Sequence, residues 1–94
     1  MSDVQIKQMP AFKKAYKKLH PKAKEVVKEE IKNIAKDPKI GDEKKGDLKN
    51  VFVHKFKIHN KQFLLAYEWD ASLRILLALG VHENFYRDLK RGRD

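Results

Sequence analysis

From Phe12 the hydrophobic pattern runs at a helical period, which gives way to a period of two near residue 48. Phe12, Ala15, Tyr16 and Leu19 fall at i, i+3, i+4 and i+7, with Lys13, Lys14, Lys17 and Lys18 on the other side. Pro10 fits the first turn of this helix, where its missing N–H costs nothing. His20-Pro21 breaks the stripe, because the residue before a proline avoids the α region. A second helix is predicted from Pro21 to about Lys36, with Ala23, Val26, Val27, Ile31, Ile34 and Ala35 as its apolar stripe, and Asp37-Pro38 ends it. Ahead of both, Val4 and Ile6 alternate with polar neighbours and predict a short strand starting near residue 3.

From Leu48 onward the period is two. Three consecutive strands are predicted, with turns at His59-Asn60-Lys61 and Asp70-Ala71-Ser72. On the first of them Phe52, His54, Phe56 and Ile58 share one face, while Val51, Val53, Lys55 and Lys57 share the other. The aromatic set is the better candidate for packing under the helices, which leaves Lys55 and Lys57 together on the open side. On the next strand Phe63, Leu65, Tyr67 and Trp69 alternate with Gln62, Leu64, Ala66 and Glu68. On the last, Leu73, Ile75, Leu77 and Leu79 alternate with Arg74, Leu76, Ala78 and Gly80. The small Ala66, Ala78 and Gly80 would leave a shallow groove on one face, and a one-residue slip in any strand would reverse the assignment. Asp37 to Asp47, with two glycines, a proline and seven charged residues, is expected to be a mobile loop beside the second strand. After Gly80, Asn84 is a good N-cap for a two-turn helix closed by Gly92, with Phe85 and Leu89 turned inward. His82 and Tyr86 then fall near a helix N-terminus, where free N–H groups favour an anion such as phosphate.

Composition narrows what such a domain does. Ninety-four residues make one domain, 1–94, and the absence of cysteine removes disulfides and thiolate zinc sites. The four histidines lack acidic partners at helical spacing, so neither a metal nor another cofactor is expected. No apolar run approaches the ~18–20 residues of a membrane span, and the first residues are not a secretory signal, so a cytoplasmic protein is expected. The net charge of +9, with an isoelectric point near 9.8, favours a polyanionic partner, nucleic acid being the usual one.

The order β-α-α-β-β-β, with a lysine-bearing second strand and a terminal Gly80-Val81-His82-Glu83-Asn84-Phe85-Tyr86 segment, resembles the RelE/ParE superfamily of bacterial toxins. The resemblance extends through Leu48-Lys49, Val53-His54-Lys55-Phe56-Lys57-Ile58 and Phe63-Leu64-Leu65-Ala66-Tyr67. It implies a small α+β domain, a two-helix hairpin on one face of an antiparallel sheet with a short C-terminal helix. It also implies the toxin half of a type II toxin–antitoxin pair, restrained by an acidic antitoxin. Lys55 and Lys57 match the pair of strand lysines in RelE. His82 stands where RelE has a catalytic Arg and the YafQ-like branch a catalytic His, and Tyr86 falls at or near the terminal aromatic of either. Leu64 occupies the place of an Arg in RelE, and Asn50 that of a frequent Gly.

RNA cleavage that uses the substrate's own 2′-OH needs a base, a cation to hold the phosphorane charge, and an acid for the leaving 5′-oxygen. His82 suits acid or base and Lys55 and Lys57 suit charge stabilisation. Tyr86 suits base stacking or phosphate orientation, and Lys49, Lys61 and Arg87 suit backbone contacts. His54 is expected to be structural, His20 and His59 to be loop residues, and Tyr67 and Trp69 to be core. Three functions stay open: a metal-independent, ribosome-dependent mRNA endoribonuclease, which the Lys55/Lys57/His82 set favours; a ParE-like inhibitor of DNA gyrase; and a non-catalytic binding module that has kept the fold.

Overall fold

A computed structural model describes residues 4–44, 46, 50–81 and 85. Strand β1 (Gln5–Gln8) leads into α1 (Pro10–Lys17) and α2 (Pro21–Lys36), and β2 (Asp42–Glu43), β3 (Phe52–Ile58), β4 (Lys61–Trp69) and β5 (Leu73–Val81) follow. The five strands form one sheet in the order β1-β5-β4-β3-β2. The meander β2-β3-β4-β5 is antiparallel, but β1 runs parallel to β5. The sheet is therefore mixed and not the wholly antiparallel one expected, because β1 reaches the free edge of β5 through the helices and not through a hairpin. The α+β class, two helices on one sheet face, is the one expected from the pattern. The helix predicted after Asn84 lies outside the described residues, apart from Phe85.

Both helices open on proline. α2 is further fixed by His20, whose Nδ1 accepts the Lys22 N–H at 3.3 Å and satisfies one orphan donor of the first turn. The helices pack their stripes against the face of Phe56, Ile58, Leu65, Tyr67, Leu76 and Leu79, with Phe12, Val27 and Ile34 fully buried between. α1 lies against β5 and α2 beside β3. His54 is on this side as well. It is bonded to Glu30 at 2.6 Å and stacked on Phe56.

Three further details differ from the expectation. The stretch after Asp37 is not a plain loop. Pro38–Ile40 form a single 3₁₀ turn, with the Asp37 carboxylate accepting the Lys39 N–H, and β2 then pairs with β3. The Tyr67 hydroxyl ties this segment down, donating to the Pro38 carbonyl at 2.6 Å and accepting the Gly41 N–H at 3.0 Å. The alternation of β5 also breaks. Ala66 pairs with Ala78 but Tyr67 pairs with Leu76, so Leu77 is an extra, bulged residue. Upstream of it every side chain changes face. Leu76 and Arg74 are therefore helix-side residues, and the predicted partition survives only from Ala78 onward. Finally, β1 begins at Gln5 and α1 ends at Lys17, each a turn or less from the predicted limit.

The bulge gives Arg74 a special place. It is 4% exposed, and among the described residues no carboxylate is paired with it. Its guanidinium instead donates to the carbonyls of Ile34, Ala35, Asp70 and Leu73. Two of those acceptors are at the C-terminal turn of α2, where unsatisfied carbonyls and the helix dipole favour a cation. One charge thus ties the end of α2 to the β4–β5 turn.

Candidate functional site

The candidate site is the sheet face away from the helices, near the end of β5. Lys55 and Lys57, two apart on β3, are both exposed there, flanked by the buried Val53. Register relates them to β5. Lys55 pairs with Leu64, and Leu64 with Gly80. Phe56 pairs with Phe63, and Phe63 with Val81, the last residue of the strand. Lys55 and Lys57 therefore bracket the row in which β5 ends, two strand spacings or about 10 Å across the sheet. The face is not wholly open. Phe85, 5% exposed, covers an apolar cluster of Val51, Val53, Leu64 and Ala66, with Leu77 and Ala78 packed around it.

The groove expected from Ala66, Ala78 and Gly80 is thus real but filled by the chain itself. Phe85 Cδ1 would stand 3.7 Å from a Cβ added at Gly80. Val81 at the strand end and Phe85 on the lysine-bearing face are the described residues that flank His82. His82, Tyr86 and Arg87, like Lys49, lie outside the described residues. Lys61 does not join Lys55 and Lys57. It pairs with Ile58, a helix-side core residue, and lines a cleft with Leu19 and Ala23 on the helix side.

The other three histidines have structural places. His20 caps α2, His54 pairs with Glu30 under the helices, and His59 makes the β3–β4 turn. His59 has φ 57°, the left-handed conformation that a two-residue hairpin needs at its first central position. Sequence reasoning missed Arg74 and Gly41. A lone Arg in an apolar strand was a signal, but its face depended on the bulge. Gly41 had none, since its need arises only from the approach of Tyr67 Oη to within 2.7 Å of where a Cβ would be.

This architecture is that of the RelE-type toxins. The chain is similar to a chain of the intact E. coli RelBE toxin–antitoxin complex at 18% identity and a TM-score of 0.68, covering 85% of this chain and 98% of that one. It matches the RelBE2 toxin–antitoxin complex of Mycobacterium tuberculosis at 15% identity and a TM-score of 0.72, covering 85% and 99%. It matches a doubly substituted E. coli RelE in the free state at 14% identity and a TM-score of 0.70, covering 96% and 93%. Comparison with curated protein sequences gave no match. Residues 6–90 match the model of the ParE-like toxin of type II bacterial toxin–antitoxin systems, and the chain belongs to that family. Among the described residues no helix is long and apolar enough to cross a membrane.

Proposed function

We propose that this toxin is a metal-independent, ribosome-dependent mRNA endoribonuclease of the cytoplasm, restrained by a cognate acidic antitoxin. The observation that carries the reading is the register of β3, β4 and β5. It sets two exposed ammonium groups beside the strand end at Val81, and His82 is the next residue in the sequence. A ribose 2′-OH supplies the nucleophile, so the protein has only to move protons and hold charge. His82 acts as general acid or base, and Lys55 and Lys57 stabilise the phosphorane oxygens. Tyr86 orients the phosphate or stacks on a base, and Lys49 and Arg87 hold the backbone. Lys61 is left out because it belongs to the other face. The toxin–antitoxin complexes among the structural relatives support the antitoxin partner.

The test is induction in bacteria with mapping of transcript 5′ ends. Breaks inside codons are expected. In purified translation reactions His82→Ala is expected to cut ~10²–10⁴-fold more slowly while unfolding at the same temperature as the parent. Lys55→Ala/Lys57→Ala should lose a comparable factor. Unchanged cleavage by folded His82→Ala would overturn the mechanism. The family model's ParE-like character favours one second reading, inhibition of DNA gyrase without nuclease activity. That reading gives DNA damage with intact transcripts in the same experiment.

A further inference from the structure

On the helix side of the sheet the α1–α2 hinge meets the β3–β4 turn, and the two leave a cleft of about 460 Å³, within the range of small-ligand sites. Leu19, Ala23, Ile58 and Phe63 make an apolar floor. The floor is firm, since Ala23 and Ile58 are buried in the core and Phe63 is stacked on Phe56 with centroids 6.1 Å apart. The rim is exposed and of another kind. It carries two ammonium groups, from Lys18 and Lys61, and two imidazole rings, from His20 and His59. None of the described residues that line it is a carboxylate. The His20 ring is already oriented, because its Nδ1 accepts the Lys22 N–H at 3.3 Å. An accepting Nδ1 leaves the imidazole hydrogen on Nε2, so the free nitrogen is a donor.

We infer that this cleft holds one unpaired nucleotide of single-stranded RNA, its base on the apolar floor against the imidazoles and its phosphates on Lys18 and Lys61. The RNA is the substrate proposed above, and the site rests on that reading. An unpaired base is a flat apolar plate with polar edges, and rings such as histidine are what it stacks on. The His20 Nε2–H and the Asn60 amide supply donors for its carbonyl oxygens or for a phosphate. A peptide side chain would use the floor and leave both rings without a task. The turn also joins the cleft to the scissile site. Lys57 stands on the open face two residues before His59, and Lys61 on the helix side two residues after it. A strand of RNA crossing the β3–β4 turn therefore meets Lys57 on one side of the sheet and the cleft on the other. The cleft grips RNA away from the cut bond and takes no part in proton transfer.

The probe is a short fluorescein-labelled oligouridine with 2′-O-methyl riboses, which lacks the nucleophile and is not cut. It is titrated into the full chain and followed by anisotropy and by ¹H–¹⁵N spectra. Amide shifts are expected at residues 18–23 and 58–63. Lys18→Glu/Lys61→Glu is expected to weaken binding about tenfold, and Lys13→Glu/Lys28→Glu, the same charge change on the outer helix faces, far less. His59→Asn keeps a residue that tolerates the left-handed turn and removes the ring. It is expected to weaken the oligouridine about fivefold, while an abasic strand of equal length binds both proteins alike. Absence of binding, or shifts confined to the Lys55 and Lys57 face, would overturn the assignment. So would equal losses in the two double variants, which mean unlocalised charge attraction, or an equal loss of the abasic strand in His59→Asn. An acidic peptide that shifts the cleft amides at lower concentration than the oligouridine would also overturn it. Failure here leaves the nuclease reading standing, whereas uncut transcripts on induction with cleft shifts present would defeat that reading alone.

Discussion

At the scale of single residues, two buried polar groups hold irregular chain in place. Arg74 is a buried charge with no counter-ion among the described residues, and it is tolerated because four carbonyls replace its water. Tyr67 does the same work with a neutral group. Its hydroxyl has one donor bond and one acceptor bond to the Pro38–Gly41 segment. Burial, above all, raises its pKa from the usual tyrosine value, with Asp37 and Asp42 adding to that effect and the Gly41 N–H and Arg74 opposing it. The folded chain therefore holds this proton more tightly than the unfolded one. Its contribution is intact below the unfolded value of about 10 and is lost as pH rises through the folded value. Tyr67→Phe is expected to cost about 1–2 kcal/mol in urea denaturation near neutrality. It should also flatten the fall in stability of the parent on the alkaline side of that value. An alkaline limb identical in parent and variant would show that another group causes it.

At the scale of elements, the sheet is buried on its two faces by unequal means. Sixteen residues of α2 and eight of α1 cover one side, whereas Phe85 seals part of the other. A seal made by so few atoms makes each one count. Phe85→Ala is expected to cost roughly 3 kcal/mol, lowering the urea midpoint without changing the slope. Gly80→Ala offers a contrast, since its added Cβ meets Phe85 at an ordinary 3.7 Å and should alter stability little. A near-neutral Phe85→Ala would mean that the apolar cluster beneath it survives without its lid. Because Val81 and Phe85 flank His82, loss of the seal is also expected to reduce cleavage before it unfolds the domain. The β5 bulge has an equally local origin with wide effects. One extra residue, Leu77, sends Arg74 to the end of α2 instead of to the open face.

At the scale of the whole molecule, a charge of +9 on 94 residues is spread over both sides of the sheet. Lys55 and Lys57 face one way, and Lys18 and Lys61 the other. Binding of single-stranded RNA is therefore expected to weaken roughly tenfold or more on an about fourfold rise in salt. Isothermal titrations at several ionic strengths check this, and a flat response would exclude phosphate contacts as the source of affinity. The sequence by itself determined the two helices, the three long strands, the turns between them and the side of β3 on which Lys55 and Lys57 stand. These follow from short-range periodicity, prolines and turn residues, which act over a few neighbours and are written in one dimension. Only the tertiary structure decided the parallel pairing of β1 with β5, the bulge at Leu77, the partner strand at Asp42–Glu43 and the separation of Lys61 from the other two lysines. Each of these depends on which distant backbone has a free hydrogen-bonding edge, or on which face an added residue turns outward. A single bulge inverts an alternation that composition leaves unchanged, and for that reason no count of apolar residues in β5 could have located Arg74.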